Sequence, residues 1–145
     1  MIANERQYRI TNAAARDFEE ALARLAAVEA HRSPEMRRVM REAMESQLEE
    51  LREELAAYDA LRSGQIAVLE LGSLAELPEA LVRARIAVGL TQKGLAERLG
   101  LKEQQIQRYE ATGYAGVSLE RIQAVAEALG VTIQERVILP SLRDG

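Results

Sequence analysis

Between positions 102 and 108 the chain reads KEQQIQR. Lys102, Glu103, Gln104, Gln105, Gln107 and Arg108 are long, polar and rich in hydrogen-bond donors and acceptors. Gln can pair bidentately with adenine, and Arg with guanine, along the major-groove edge of a duplex. That chemistry needs the side chains on one outward face of a helix held still by its opposite face. Ile106 and Tyr109, at i, i+3, supply the inward face.

The element before it must do the holding. Thr91 is a good N-cap, because its hydroxyl can accept a backbone N–H left unpaired in the first helical turn. Leu95 and Leu99 follow at i, i+4 on one face, and Ala96 is small where a second helix has to cross closely. Gly100 can end this helix in the left-handed conformation at little cost, and Leu101 plugs the turn. Arg85 to Glu110 thus reads as two short helices joined by a tight turn.

This constellation resembles the phage-repressor (Cro/Xre-type) helix-turn-helix family. The pattern is carried by Gly89-Leu90-Thr91-Gln92, Ala96, Gly100 and the apolar positions Leu95, Leu99, Leu101, Ile106 and Tyr109. It covers roughly Leu77 to Leu139. One departure is Gly94, which stands where the family usually has a helix former; Gly in an exposed helix costs ~1 kcal/mol relative to Ala. The resemblance implies that helix 102–109 enters the major groove, with its N-terminal residues at base edges. The base-reading candidates are then Glu103, Gln104, Gln105 and Arg108, while Lys102 and Gln107 read bases or grip phosphate. It also implies that Gln92 and its helix N-terminus bind backbone phosphate, with Lys93 adding a screened contact. Tyr114, in a Gly-rich loop from Ala111 to Val117 that lies near the DNA backbone in the family, is expected to be exposed and either to touch a phosphate or sugar or to pack on the loop. Arg85 and Glu110 are expected to form a partly buried structural ion pair, not to touch bases.

Composition narrows the alternatives. The 145 residues include no Cys and a single His, His31. Disulfides and thiolate metal sites are excluded, and a His-based metal cluster or triad has no second member. Carboxylates are plentiful but follow regular helix faces, without a His, Cys or Gly-rich phosphate loop beside them, so neither catalysis nor a cofactor is expected. No apolar run approaches the ~20 residues that span a bilayer, and no signal peptide opens the chain. A cytoplasmic protein with no membrane partner is expected. The net charge of −4 is unevenly spread. Residues 1–64 carry 10 Lys/Arg against 13 Asp/Glu, and residues 77–145 carry 9 against 8. Arg83, Lys93, Arg98, Lys102 and Arg108 could form a local basic footprint. A footprint so modest implies few phosphate contacts and a dimer for useful affinity.

Ahead of this half, Met1 to Ile10 reads as an extended or irregular lead-in. Thr11 or Asn12 can cap a helix to about Ala30, with Phe18, Leu22, Leu25 and Val28 as its stripe. Ser33 and Pro34 can begin a long helix to Arg62, about 40 Å long at 1.5 Å per residue. Met44, Leu48, Leu51, Leu55 and Tyr58 fall at heptad spacing along it. One short partner cannot cover that seam, so it is the expected dimerisation surface. Gln65 to Leu71 alternates as a strand or extended linker. Leu119 to Leu129, capped by Ser118, presents Leu119, Ile122, Val125, Ala126 and Leu129 inward. Val131 to Leu139 turns Val131, Ile133, Val137 and Leu139 inward as a closing strand, or else forms a last short helix from Thr132.

A second resemblance rests on Tyr8-Arg9-Ile10-Thr11, the Phe18/Leu22/Leu25 face and the Tyr58 end of the long helix. These words are similar to the helical leader of HigA-type antitoxins, which implies a cognate toxin partner and repression of the protein's own operon. The expected architecture is mainly α. It comprises a helical hairpin or coiled coil (1–64), a linker or short strand (65–76), a four- to five-helix repressor-like domain (77–139) and a tail (140–145). Two short β-strands, 65–71 and 131–139, complete it as an option. The expected function is a homodimeric transcriptional regulator of double-stranded DNA. The rival is a protein-interaction scaffold whose helix-turn-helix no longer binds DNA.

Overall fold

The computed structural model describes residues 1–28 and 32–141. Among them are six α-helices and one short 3₁₀ turn: α1 (Glu5–Val28), α2 (Pro34–Arg62), the 3₁₀ turn Leu74–Glu76, α3 (Leu77–Ala87), α4 (Gln92–Leu99), α5 (Glu103–Ala111) and α6 (Leu119–Leu129). The expectations for the Val28 side chain, His31 and the tail 142–145 fall outside the described residues.

Helix α1 begins well before Thr11. The Asn4 side chain accepts from the Gln7 N–H at 2.8 Å, and the Gln7 side chain accepts from the Ala3 N–H at 2.7 Å. This reciprocal cap satisfies donors that a helix start leaves open, so residues 5–10 are helical and not an extended arm. Ser33 accepts from the Met36 N–H at 3.2 Å, with Pro34 in the first turn of α2. The two helices run antiparallel: Tyr8 bonds Asp59 and, further along, Arg52 bonds Glu19. At 24 residues α1 is a long partner for the 29 of α2. It reaches most of the heptad seam. Leu48 and Tyr58 are buried within this one chain, while Met44, Leu51 and Leu55 are half-buried.

The apolar core crosses the boundary between the two halves. Ile2, Tyr58 and Leu61 belong to one buried cluster with Leu81, Val82, Ile86, Leu95, Ile106, Val125 and Leu129. Around it α3 packs on α2, α5 and α6, while α4 packs on α5 and α6. Ser118 caps α6 by accepting from the Arg121 N–H at 3.1 Å. Leu119, expected inward, is exposed at the start of that helix.

Neither optional strand forms. Residues 65–71 and 131–141 run without strand pairing, and no last helix starts at Thr132. A short strand has no intrinsic stability without a partner, and these two segments do not pair with each other. Ile66, Leu69, Val131 and Ile133 still pack against the core. Val137 and Leu139, expected inward, lie 87% and 78% exposed.

Candidate nucleic-acid interface

The turn between α4 and α5 is built from local chemistry. Thr91 accepts from the Gly94 N–H at 2.9 Å and so caps α4. A Cβ on Gly94 would lie 3.2 Å from both that hydroxyl and the Leu90 side chain, which gives the glycine a packing reason. Gly100 ends the helix at φ 68°, and the Leu101 N–H then reaches back to the Ala96 carbonyl at 2.9 Å. This is the 6→1 closure that a left-handed residue allows. Leu95, Ala96 and Ile106 are almost wholly buried where the two helices cross.

Helix α5 has Lys102 as its N-cap residue. Gln105 Oε1 accepts from the Lys102 N–H at 2.9 Å, so this side chain folds back on its own helix start. At roughly 100° per residue, Gln104, Gln107 and Arg108 project from the side opposite Ile106 and Tyr109. All three are exposed, with Lys102 and Glu103 exposed beside them.

The helices are locked by a buried polar cluster. Arg85 Nε donates to Glu110 Oε2 at 2.7 Å and Nη2 to Oε1 at 2.9 Å, a bidentate fork. The two side chains are only 3% and 4% exposed. Arg85 also donates to the carbonyls of Leu90, at 2.9 Å, and Ala3. Gln92 Nε2 donates to Glu110 Oε1 at 2.9 Å, and Gln92 Oε1 accepts from Asn4 Nδ2 at 3.4 Å. The cluster therefore ties α3, α4 and α5 to the start of α1.

A helix-turn-helix family profile matches residues 81–136. This segment is similar to Cro/C1-type helix-turn-helix domains. No curated protein matches the chain, and no solved structure does. Residues 1–80 lie outside the match. The family is one of DNA-binding transcriptional regulators, and double-stranded DNA is the ligand of its domains.

The helix-turn-helix domain brings Lys93, Lys102, Glu103, Gln104, Gln105, Gln107 and Arg108 to exposed positions on or beside α4 and α5. Two other assignments change. Gln92 is 7% exposed, with both ends of its amide engaged within the protein, so its side chain is part of the lock. Tyr114 is not exposed. It is 4% accessible, sits at φ 58° and donates its N–H to the Tyr109 carbonyl at 2.7 Å. Its ring lies 5.6 Å from that of Tyr109. The left-handed backbone turns the side chain into the core. Burial, followed by the nearby Glu110 charge, pushes the Tyr114 hydroxyl far above the ordinary tyrosine range.

Two cations of the expected basic footprint have partners within the chain. Arg83 pairs with Glu79 at 2.8 Å along α3. Arg98 donates to the Ala128 carbonyl at 2.8 Å, near the end of α6. Both stay exposed, as do Lys93, Lys102 and Arg108, which have no ion pair among the described residues. Asn4 and the Ala3 carbonyl escaped the sequence reading. The signal available was the Asn4-x-x-Gln7 capping pattern, which marks the helix start but not its contact with Gln92.

Proposed function

We propose that the protein is a sequence-specific transcriptional repressor that binds a pseudo-palindromic operator as a homodimer. The carrying observation is the exposed Gln104–Gln107–Arg108 face of α5, held from behind by the buried Arg85–Glu110 pair. Gln104 and Arg108 read base edges, Gln107 and Lys102 read bases or hold phosphate, and Lys93 holds phosphate beside the start of α4. Glu103 accepts from a cytosine amine in this reading.

Lys93, Lys102 and Arg108 are few cations for a polyanion, which favours two domains acting together. A two-fold dimer with recognition helices ~34 Å apart would cover two half-sites. The part of the α2 seam that α1 leaves half-covered, around Met44 and Leu51, is the surface for that contact. The Glu-rich exposed faces of α1 and α2 suit a basic protein partner, which supports extending the proposal to the antitoxin of a type II pair. A ribonuclease gene adjacent on the chromosome, whose product co-purifies with this chain, is the observation that reading requires.

The test is footprinting of the DNA upstream of the protein's own gene at several salt concentrations, with wild type beside Gln104→Ala/Arg108→Ala. Protection of an inverted repeat, lost in the double variant, is expected. No protection at low salt by a protein that sediments as a dimer would leave the interaction scaffold as the better reading.

A further inference from the structure

A recess of about 460 Å³ opens between the first turn of α1, the end of α2 and the leading ends of α4 and α5. Asn4 and Arg6 line it from one side and Thr91, Gln92, Glu103 and Gln107 from the other. The hairpin therefore stands beside the edge of the domain that faces DNA. The contact is fixed, because Asn4 bonds Gln92, Arg85 bonds the Ala3 carbonyl and Ile2 is buried in the shared core.

The charges in the recess divide clearly. Glu5 is held by Arg62, which also stands over the Tyr58 ring at 5.8 Å. The Arg85 guanidinium is committed to Glu110. Glu103 lies across the recess, on α5. Arg6 is exposed and makes no ion pair among the described residues, so its guanidinium is available to an outside anion. The leading N–H groups of α1, a 24-residue helix, add partial positive charge at the same end.

We infer that the first turn of α1 is a third element of the DNA-binding face, and that Arg6 holds a backbone phosphate on the strand crossing the start of α4. This rests on the DNA-binding reading of the helix-turn-helix domain. A strand lying against the N-terminus of α4, with α5 in the adjacent groove, passes over the recess that Arg6 lines. Arg6 then replaces cations that a reading of α3 and α4 alone would credit to Arg83 and Arg98. A phosphate contact positions the protein and carries no sequence information.

The experiment is fluorescence anisotropy over a salt series. It compares a mixed-sequence duplex with the footprinted upstream site, using wild type, Arg6→Ala, Arg6→Lys, Gln104→Ala and Arg108→Ala. Arg6→Ala is expected to weaken binding to both duplexes alike, by roughly three- to tenfold near 0.1 M salt, and to lower the salt slope by ~0.9. Arg6→Lys should keep most of the affinity and the slope. Thermal unfolding should not move, because the side chain is exposed and unpaired. Unchanged affinity and slope in Arg6→Ala, while Gln104→Ala or Arg108→Ala loses preference for the footprinted site, would overturn the role of Arg6 alone. Wild type binding neither duplex would overturn the DNA-binding reading together with it.

Discussion

Arg85 and Glu110 lie 25 positions apart, yet their side chains meet in a two-pronged ion pair closed off from solvent on both sides. Arg85 comes from α3 and Glu110 from near the end of α5, so the pair sets how the recognition helix stands on the rest of the domain. Removing one partner strands the other charge without water. Arg85→Ala and Glu110→Ala should each cost about 3–5 kcal/mol in urea unfolding. The double variant should lose less than the sum. Full additivity would show that the two charges are not coupled.

Gln92 extends that pair toward the N-terminal hairpin. Gln92→Ala leaves Glu110 one donor short, and a hydrogen bond to a buried charge contributes about 1.5–3 kcal/mol. Denaturation should register that loss, and Asn4→Ala should show a smaller one. In a double-mutant cycle Asn4 and Gln92 should couple. A Gln92→Ala protein of unchanged stability but weakened DNA binding would return this side chain to the phosphate role.

Neighbouring glutamines on α5 should behave differently. Both are exposed, but only Gln105 is held to its own helix start, by accepting from the Lys102 N–H. Gln104→Ala and Arg108→Ala should each lower discrimination at a base position by about 1–3 kcal/mol, with little change in unfolding. Gln105→Ala should do the reverse, costing about 0.5–1.5 kcal/mol of stability and leaving the preferred sequence as it was. Selection from a randomised duplex pool, run beside thermal melts, separates the two.

Alkaline pH should unfold the protein through its tyrosines. The Tyr114 and Tyr58 hydroxyls are pushed up by burial, and the Tyr8 hydroxyl mainly by its hydrogen bond to Asp59, all from an ordinary value of 10.0. A tyrosine whose folded pKa is raised favours the folded state below pH 10. That contribution is lost as pH climbs from 10 toward the folded value, because the unfolded chain ionises first. Urea midpoints should hold to about pH 9 and then fall. In Tyr114→Phe the fall should be shallower. An equal fall in that variant would place the alkaline sensitivity elsewhere.

Much of the helix-turn-helix was readable because its signals are local. Thr91, Gly100 and Ser118 act on groups within a few residues, so the cap or stop each encodes needs no distant contact. The i, i+4 pair Leu95/Leu99 and the pair Ile106/Tyr109 mark their packed faces in the same way. Even the early start of α1 was written in Asn4 and Gln7, though no apolar periodicity marks it.

What the one-dimensional pattern could not supply was the identity of each polar side chain's partner. Gln92 and Gln104 are the same residue type near the start of successive helices, and only the approach of Asn4 and Glu110 makes one a buried link and leaves the other free. Tyr114 looked like a loop side chain until its left-handed backbone aimed it at Tyr109. The alternation in 65–71 and 131–139 promised strands, but a strand is a property of two segments, and these two do not meet. The caps, the turns and most helix faces were therefore determined by sequence alone, since neighbours in the chain decide them. The reach of the hairpin to the leading ends of α4 and α5, and with it the place of Arg6, was decided by tertiary packing, which joins residues more than 80 positions apart.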